Sequence, residues 1–389
     1  MKIDYSKYAD KIKFWKKTIE STKSFVGSSP PSVFVGRAFY PRVFVGILSP
    51  PSHVDAASVL DSPETWYKKG ADIAEILSYR GQMIYSRFKS SSVKHPSGKL
   101  EDVVKEIAMA KRPTDVEIEL KKNPKFKFML DNWIIPVGNP APIVHARLTE
   151  NPSVERNVDY LISDIDFKAT QAANRLYQLG IQVSRIQKIF SAGLLGLKMQ
   201  RKFVPTRWSI TAVDDIIGKN LREKVKDFQE LGNIRLFNND YLGNHYEILL
   251  IPGKYEFELI ESWNNFGMTG IGGDYEPYEG RKTYADSTHG AFYAGRLAVL
   301  EYLERIKRQA SILIVREILP TYDVPVGIWQ LREAVRGAFD KLYETFATVD
   351  LALNRISGRL QIKNKWIPKS ILLKELKEQT KLKQFLKVF

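Results

Sequence analysis

Strand-like runs scattered among amphipathic stretches, without a repeating strand–helix–strand rhythm, predict an α+β fold. The expected architecture is a mixed or antiparallel central sheet surrounded by helices, ending in a short basic C-terminal tail. Three observations carry this. The phrase Val-Phe-Val-Gly occurs twice, at 33–36 and 43–46, fenced by Pro30, Pro31, Pro50 and Pro51; such β-branched and aromatic runs suit buried strands, and the prolines cannot extend a ladder. Val116, Ile118 and Leu120 alternate with Glu117 and Glu119, the period of a half-buried strand. Residues 231–262 alternate in the same way between Asn/Gly turns, as antiparallel strands do. The strands at 33–35, 43–47, 116–120 and 246–259 are expected to share one sheet. At 389 residues there is length for an α+β core over 1–354, with a break into two subdomains allowed near 150–200, followed by the tail 355–389.

Taken in order, residues 4–22 set Tyr, Ile, Phe and Trp at helical spacing among lysines, an amphipathic helix with a basic face. Between the two Val-Phe-Val-Gly copies lies Gly36-Arg37-Ala38-Phe39-Tyr40-Pro41-Arg42. Paired guanidiniums on a stiff loop suit a phosphate or carboxylate; the plainer reading is a hairpin with solvated arginines. His53 sits in a Ser/Pro/Asp-rich loop, as a surface residue. Asp61-Ser-Pro-Glu starts a helix that runs towards Arg80. A basic polar loop at 88–99 leads into a helix over 100–110. Pro136, Pro140 and Pro142 extend the chain into a strand at 143–147, expected near a sheet edge.

Residues 167–193 form two helices around Gly180. Their spacing is that of a helix-turn-helix whose second helix carries Ser184, Arg185, Gln187 and Lys188; two packed helices joined by a glycine give the same pattern. The dense stretch 199–215 offers Arg207 and Trp208 to hold a phosphate and stack a base. Alternatively Asp214 and Asp215 bind a divalent cation, or Asp214 merely caps a helix starting at about 215. The glycine-rich segment 266–282 is read as a loop. Its Asp274, Arg281 and Lys282 are further candidates, but it lacks the Lys-Ser/Thr ending of a nucleotide P-loop. A helix over 287–317 is expected to end before Pro320, and a last amphipathic helix covers 327–353.

The chain carries +15 at neutral pH, is 44% hydrophobic and 12% aromatic, and has no cysteine and five histidines. It is therefore globular, excludes disulfides and thiolate metal sites, and favours polyanionic partners; a lysine-rich surface of the kind found in heat-adapted proteins gives the same charge. No apolar run approaches a membrane span and the charged N-terminus is no signal sequence, so a cytoplasmic protein without membrane contact is expected. No metal site and no cofactor are assigned.

Ser29-Pro-Pro-Ser-Val-Phe-Val-Gly-Arg37 through Pro51, Val204-Pro-Thr-Arg-Trp-Ser-Ile-Thr-Ala-Val-Asp214, His289-Gly-Ala-Phe-Tyr-Ala-Gly-Arg296 and the C-terminus together resemble the archaeal Nre family. The resemblance spans nearly the whole chain. It implies a DNA repair protein that works with the PCNA sliding clamp, and supplies no reaction. From Arg355 on there are ten Lys or Arg and two Glu, a net +8. Within this segment Gln379, Leu382, Phe385 and Leu386 resemble a clamp-interacting (PIP) box, with Leu386 where an aromatic is usual. The family of such peptides plugs a hydrophobic pocket with one face of a 3₁₀ turn. The same residues also fit the end of an amphipathic basic helix from about 369. Three functions follow as expectations: a repair factor that binds DNA and is recruited by the clamp; an enzyme, nuclease-like, acting on a nucleotide or phosphate ester at a cleft of Arg37, Arg42, Arg207, Asp214 and Asp274; or a scaffold.

Overall fold

The two Val-Phe-Val-Gly copies pair with each other. In the computed structural model of the chain, β2 (Val33–Val35) lies antiparallel to β3 (Phe44–Ser49), with Val33 opposite Ile47 and Val35 opposite Val45. All three residues of β2 are buried, as are five of the six in β3. Gly46 is required here: a Cβ would lie 2.0 Å from the Ser86 carbonyl oxygen of the next strand. The structure describes the backbone of residues 6–94, 96–265 and 268–386; the side chains of residues 6, 11, 265, 268, 269 and 379–386 lie outside that description. The chain divides into two compact units, Met1–Ile217 with Val324–Gly327, and Gly218–Asp323 with Ile328–Phe389.

The first unit runs α1 (Ala9–Ser21), β1 (Ser24–Ser29), β2, β3, α2 (Pro63–Lys68), α3 (Ile73–Gly81), β4 (Ile84–Lys89), α4 (Lys99–Met109) and β5 (Thr114–Leu120). It continues with β6 (Phe128–Met129), β7 (Val137–Gly138), β8 (Pro140–Leu148), α5 (Arg156–Ser163), α6 (Ala169–Gln178) and α7 (Val183–Ser191), and enters α8 (Thr206–Val225). Its main sheet has the order β1-β5-β8-β4-β3-β2, with β4 and β8 parallel and the other pairs antiparallel. One core forms from Phe34, Leu48, Leu60, Met83, Tyr85, Ile134 and Val137. Helix α4 packs on β2, β3 and β8, and α1 packs on α3.

The second unit runs β9 (Ile234–Tyr241), β10 (Asn244–Ile251), β11 (Glu256–Asn265), β12 (Met268–Glu276), α9 (Gly290–Ile306), β13 (Ser311–Ile318), α10 (Trp329–Ala338), β14 (Glu344–Phe346), α11 (Val349–Arg359) and α12 (Ile371–Leu386). Its sheet order is β12-β11-β13-β10-β9-β14, with only β11 and β13 parallel among these pairs. The β9–β10 hairpin turns on Leu242 and Gly243, both at positive φ, as a two-residue turn of this hand demands. One sheet face packs Leu236, Leu249, Ile260, Leu313 and Val315 against Leu353, Ile356, Trp366, Leu372 and Leu373. On the other face Phe257 meets Phe292 of α9 edge to face. Two sheet carboxylates reach up to the 361–372 segment. Glu317 accepts from the backbone N–H groups of Gln361 and Ile362, both at 2.9 Å. Glu258 accepts from Ile371 N at 2.8 Å, Leu372 N at 3.3 Å and the Ser370 hydroxyl. The basic segment is thereby built into this unit as far as Leu376, which packs on the same core.

The α+β class holds, with mixed sheets, but the expected single sheet is two: 33–35, 43–47 and 116–120 lie in the first, 246–259 in the second. The 287–317 helix stops at Ile306, where Lys307 turns left-handed, and Ser311–Ile318 is a strand with all eight residues buried. A continuous apolar run carries no period, so helix and buried strand look alike; β-branching favours the strand. The 327–353 helix is α10, β14 and α11. The helix from Asp61 is broken at Gly70 (φ 67) and restarts with a capping box at Asp72. Strand β8 is interior rather than near an edge: its prolines serve as acceptors, the Pro142 carbonyl taking the Lys121 N–H at 2.8 Å. The glycine-rich 268–276 is strand β12, paired along its length with β11. Among the described residues no helix is long and apolar enough to cross a membrane.

Candidate nucleic-acid interface

The connection between β2 and β3 is a rigid platform. Gly36 N–H closes the hairpin on the Phe44 carbonyl at 2.8 Å, and Arg42 N–H donates to the Phe39 carbonyl at 2.8 Å. The base of the loop is tied to the segment after β4: Ser90 N–H to Val43 carbonyl, 2.9 Å, and Val93 N–H to Pro41 carbonyl, 3.1 Å. Below it the Tyr85 hydroxyl donates to the carbonyls of Phe34 and Phe44, both at 3.2 Å, and burial pushes that phenol far up. The residue held at positive φ is Phe39 (φ 64), not Gly36. A bulky side chain there is strained, and the ring it displays is 69% exposed.

Helix α8 begins against this platform. The Thr206 hydroxyl accepts from Val35 N–H at 2.9 Å, so the first turn of α8 seats at the end of β2. Its next two residues face different partners. Arg207 lies over the Trp133 ring, 3.1 Å from guanidinium carbon to centroid, and reaches Asp131 Oδ2 at 3.1 Å. Trp208 stays 46% exposed beside Tyr40, itself 44% exposed, with ring centroids 5.2 Å apart. Arg37 approaches the same Asp131 oxygen at 3.9 Å while its side chain remains 54% exposed. That pair is loose and screened, worth under about 1 kcal/mol, so Arg37 can exchange the carboxylate for a phosphate.

Cations ring the aromatics. Lys89 lies 5.4 Å over Phe39, and Arg87 lies 4.3 Å over Phe44. Phe203 N–H donates to the Val93 carbonyl, and Lys94 bridges Lys202 in the same ladder. Arg42, Lys89, Lys94 and Lys202 are all exposed. The result is a surface with three aromatic faces among exposed basic groups, able to stack planar rings and pair phosphates.

The other sequence candidates are spent differently. Asp214 is buried in the third turn of α8, accepts from Gln187 Nε2 at 2.9 Å, and caps nothing, since α8 begins at Thr206. In the second unit Asp274 on β12 accepts from Asp286, Ser287 and Thr288 N–H groups, at 3.1, 3.0 and 2.7 Å, and from the Thr288 hydroxyl at 2.8 Å. Arg281 meets Asp274 at 3.1 Å and donates to the carbonyls of Tyr275 and Tyr284; Lys282 is exposed. The glycines of β12 admit this folded-back loop: a Cβ on Gly272 would lie 2.2 Å from Ser287 Oγ.

The would-be recognition helix α7 turns inward. Ser184 donates to Glu64, Arg185 grips both oxygens of Glu155, Gln187 holds Asp214 and Lys188 pairs with Asp61. Two packed helices, not a groove reader, is what the Gly180 spacing encodes. Ser28, His53 and Asp115 converge: Ser28 Oγ lies 2.8 Å from both His53 Nδ1 and Asp115 Oδ1 and accepts from Val54 N–H. Asp115 faces that same Nδ1 at 3.4 Å while Nε2 points to Asp55, so serine and carboxylate do not sit on opposite ring nitrogens as a relay needs. An open polar cleft of 680 Å³ between α4 and β8 is lined by Asp102, Glu106, His145 and Arg147 and includes none of the predicted residues. Burial and Asp102 raise the Glu106 carboxyl there. Among the described residues no cluster of three or more His, Asp or Glu could hold a metal. Gln379, Leu382, Phe385 and Leu386 fall in the last turns of α12, and their side chains lie outside the described residues.

Sequence reasoning missed Asp131, Trp133 and Lys89. Asp131-Asn-Trp133 follows no period; only the turn in which Asp131 Oδ1 accepts from Trp133 N–H at 2.9 Å hints at a fixed element.

The model of the family described as "Archaeal Nre, N-terminal" matches residues 5–268, and "Archaeal Nre, C-terminal" matches residues 276–385. The chain is 40% identical over 329 residues to a protein named DNA repair protein NreA from Haloferax volcanii, covering 82% of this chain and 78% of the relative. It is 36% identical over 365 residues to DNA repair protein NreB of Archaeoglobus fulgidus, covering 92% and 91%, and 37% identical over 362 residues to that organism's DNA repair protein NreA, covering 91% and 90%. No solved structure matches.

Proposed function

The chain belongs to the archaeal Nre family, and on that premise we propose that it is a cytoplasmic DNA repair factor that binds DNA and is recruited by the PCNA sliding clamp. The single observation that carries the DNA-binding part is the concentration of exposed cations around the β2–β3 platform: Arg37, Arg42, Lys89, Lys94 and Lys202. Phosphate contacts from such groups supply most of the affinity for nucleic acid. The enzyme reading has less support, because Asp214 and Asp274 are enclosed by their own hydrogen bonds. Clamp recruitment rests on the resemblance of Gln379, Leu382, Phe385 and Leu386 to the clamp-binding box.

Capture on immobilised cognate clamp tests recruitment: the wild-type chain is retained and the Leu382→Ala/Phe385→Ala double variant is not. Equal retention of both removes the C-terminal motif from the mechanism. In the same preparation Arg42→Glu weakens oligonucleotide binding at least tenfold, and an unchanged affinity places DNA elsewhere on the chain.

A further inference from the structure

Resting on that reading, we infer that the β2–β3 platform takes unpaired nucleotides of single-stranded DNA, held by base stacking on Phe39, Tyr40 and Trp208, and does not read duplex. A surface made only to neutralise a duplex backbone needs cations and no rings, and polar side chains would keep it soluble. Here three rings stand 69%, 44% and 46% exposed within one loop and the adjoining helix turn. Single exposed aromatics are ordinary. These are not single: Tyr40 lies against Trp208 at 5.2 Å and Phe39 is its neighbour in the chain. Phe39 is also held at φ 64, a conformation that glycine would adopt without cost; its ring meets Phe44 edge to face at 6.4 Å and still stays 69% exposed.

The cations stand where a strand threading past the rings would place its phosphates. Lys89 sits over Phe39, Arg37 and Arg207 converge on Asp131 beside Trp133, and Lys94 and Lys202 lie where the 90–94 segment meets the loop. Bases in a duplex are stacked on each other and present only edges to a protein. Unpaired bases present faces, and every base has one, so this surface is tolerant of sequence. The inward-turned side chains of α7 agree: the element whose spacing suggested groove reading has its polar groups bound inside the fold.

The test is fluorescence anisotropy of the full chain with a labelled oligothymidylate and with a labelled mixed-sequence duplex of equal length. The wild type binds the single strand at least tenfold more tightly. Trp208→Ala lowers single-strand affinity by about five- to a hundredfold and leaves duplex affinity within twofold. Phe39→Gly does the same in direction, and its fold is not at risk because glycine suits the left-handed position. Equal or tighter binding of the duplex overturns the inference, as does single-strand affinity unchanged in both variants; either result leaves the DNA-binding reading standing. Failure of the wild type to bind either oligonucleotide sinks both.

Discussion

A carboxylate in this chain is informative only through what it accepts. Asp131, Asp214 and Asp274 are alike as letters, yet one holds Arg207 and lies loosely beside Arg37, one is sealed against Gln187, and one organises the 286–288 loop. His245 shows the same dependence with a pH consequence. Its Nδ1 lies 2.7 Å from Asp240 and its Nε2 2.9 Å from Glu247, whose other oxygen meets Arg359 of α11 at 3.2 Å. Burial pulls the imidazole pKa down, but hydrogen bonds to Glu247 and Asp240 more than offset this and leave it raised above 6.5. A group whose folded pKa is raised contributes stability that is fully present below its unfolded pKa and is lost as pH rises through the folded one. The wild type is therefore expected to exceed His245→Gln in melting temperature at about pH 6, with the gap closing as pH rises above neutrality. A gap that is constant from acid to alkaline pH removes the charged imidazolium from the account.

At the scale of elements, what was legible in the sequence had a period. The Val33–Val35 and Val43–Ile47 runs pair as expected, and Val116, Ile118 and Leu120 are buried on β5. What was not legible lacked one. Ser311–Ile318 is buried on both faces because helices α9 and α10 cover one side of its sheet and α11 and α12 the other, so its apolar run Ile312–Val315 shows no alternation to mark it as strand. The glycines of β12 signal close approach of another segment, which reads in sequence like close approach of a ligand. The candidate site was legible in its two halves, Arg37–Arg42 and Arg207–Trp208, but not in Asp131, which lies between Arg37 and Arg207 and is 76 residues from the latter. Helix α7 gives the sharpest case for a test. Arg185 is bound at 2.6 Å to each oxygen of Glu155 and at 2.8 Å to the Met109 carbonyl. Arg185→Ala is expected to cost about 2–3 kcal/mol of stability, since it strands a half-buried carboxylate, and to leave the DNA affinity of the folded fraction unchanged. A selective loss of duplex binding with an unaltered denaturation midpoint would restore the groove-reading role to this helix.

For the whole molecule the question is whether +15 is a property of the surface at large or of a place on it. Part of the excess is neutralised locally: of the basic C-terminal segment, Arg355 and Arg359 both pair with Glu344, and Arg359 also with Glu247. Net charge therefore overstates what a polyanion meets in some regions and understates it around β2 and β3, where five exposed cations lie on the loop that carries Phe39 and Tyr40 and on the segments tied to it. Salt dependence separates the two cases, because each phosphate contact on a single strand releases counterions and adds about 0.7 to the slope of log affinity against log salt. Replacing Lys89, Lys94 and Lys202 together by alanine is expected to lower that slope by about 2, three contacts' worth. A control replacing the exposed Lys121, Lys122 and Lys125 changes the net charge equally and is expected to leave the slope within experimental error. If the two triple variants shift it alike, the charge acts as a diffuse field and the β2–β3 platform has no special claim on DNA. If only the first does, the cations that matter are the ones the fold gathers around Phe39, Tyr40 and Trp208.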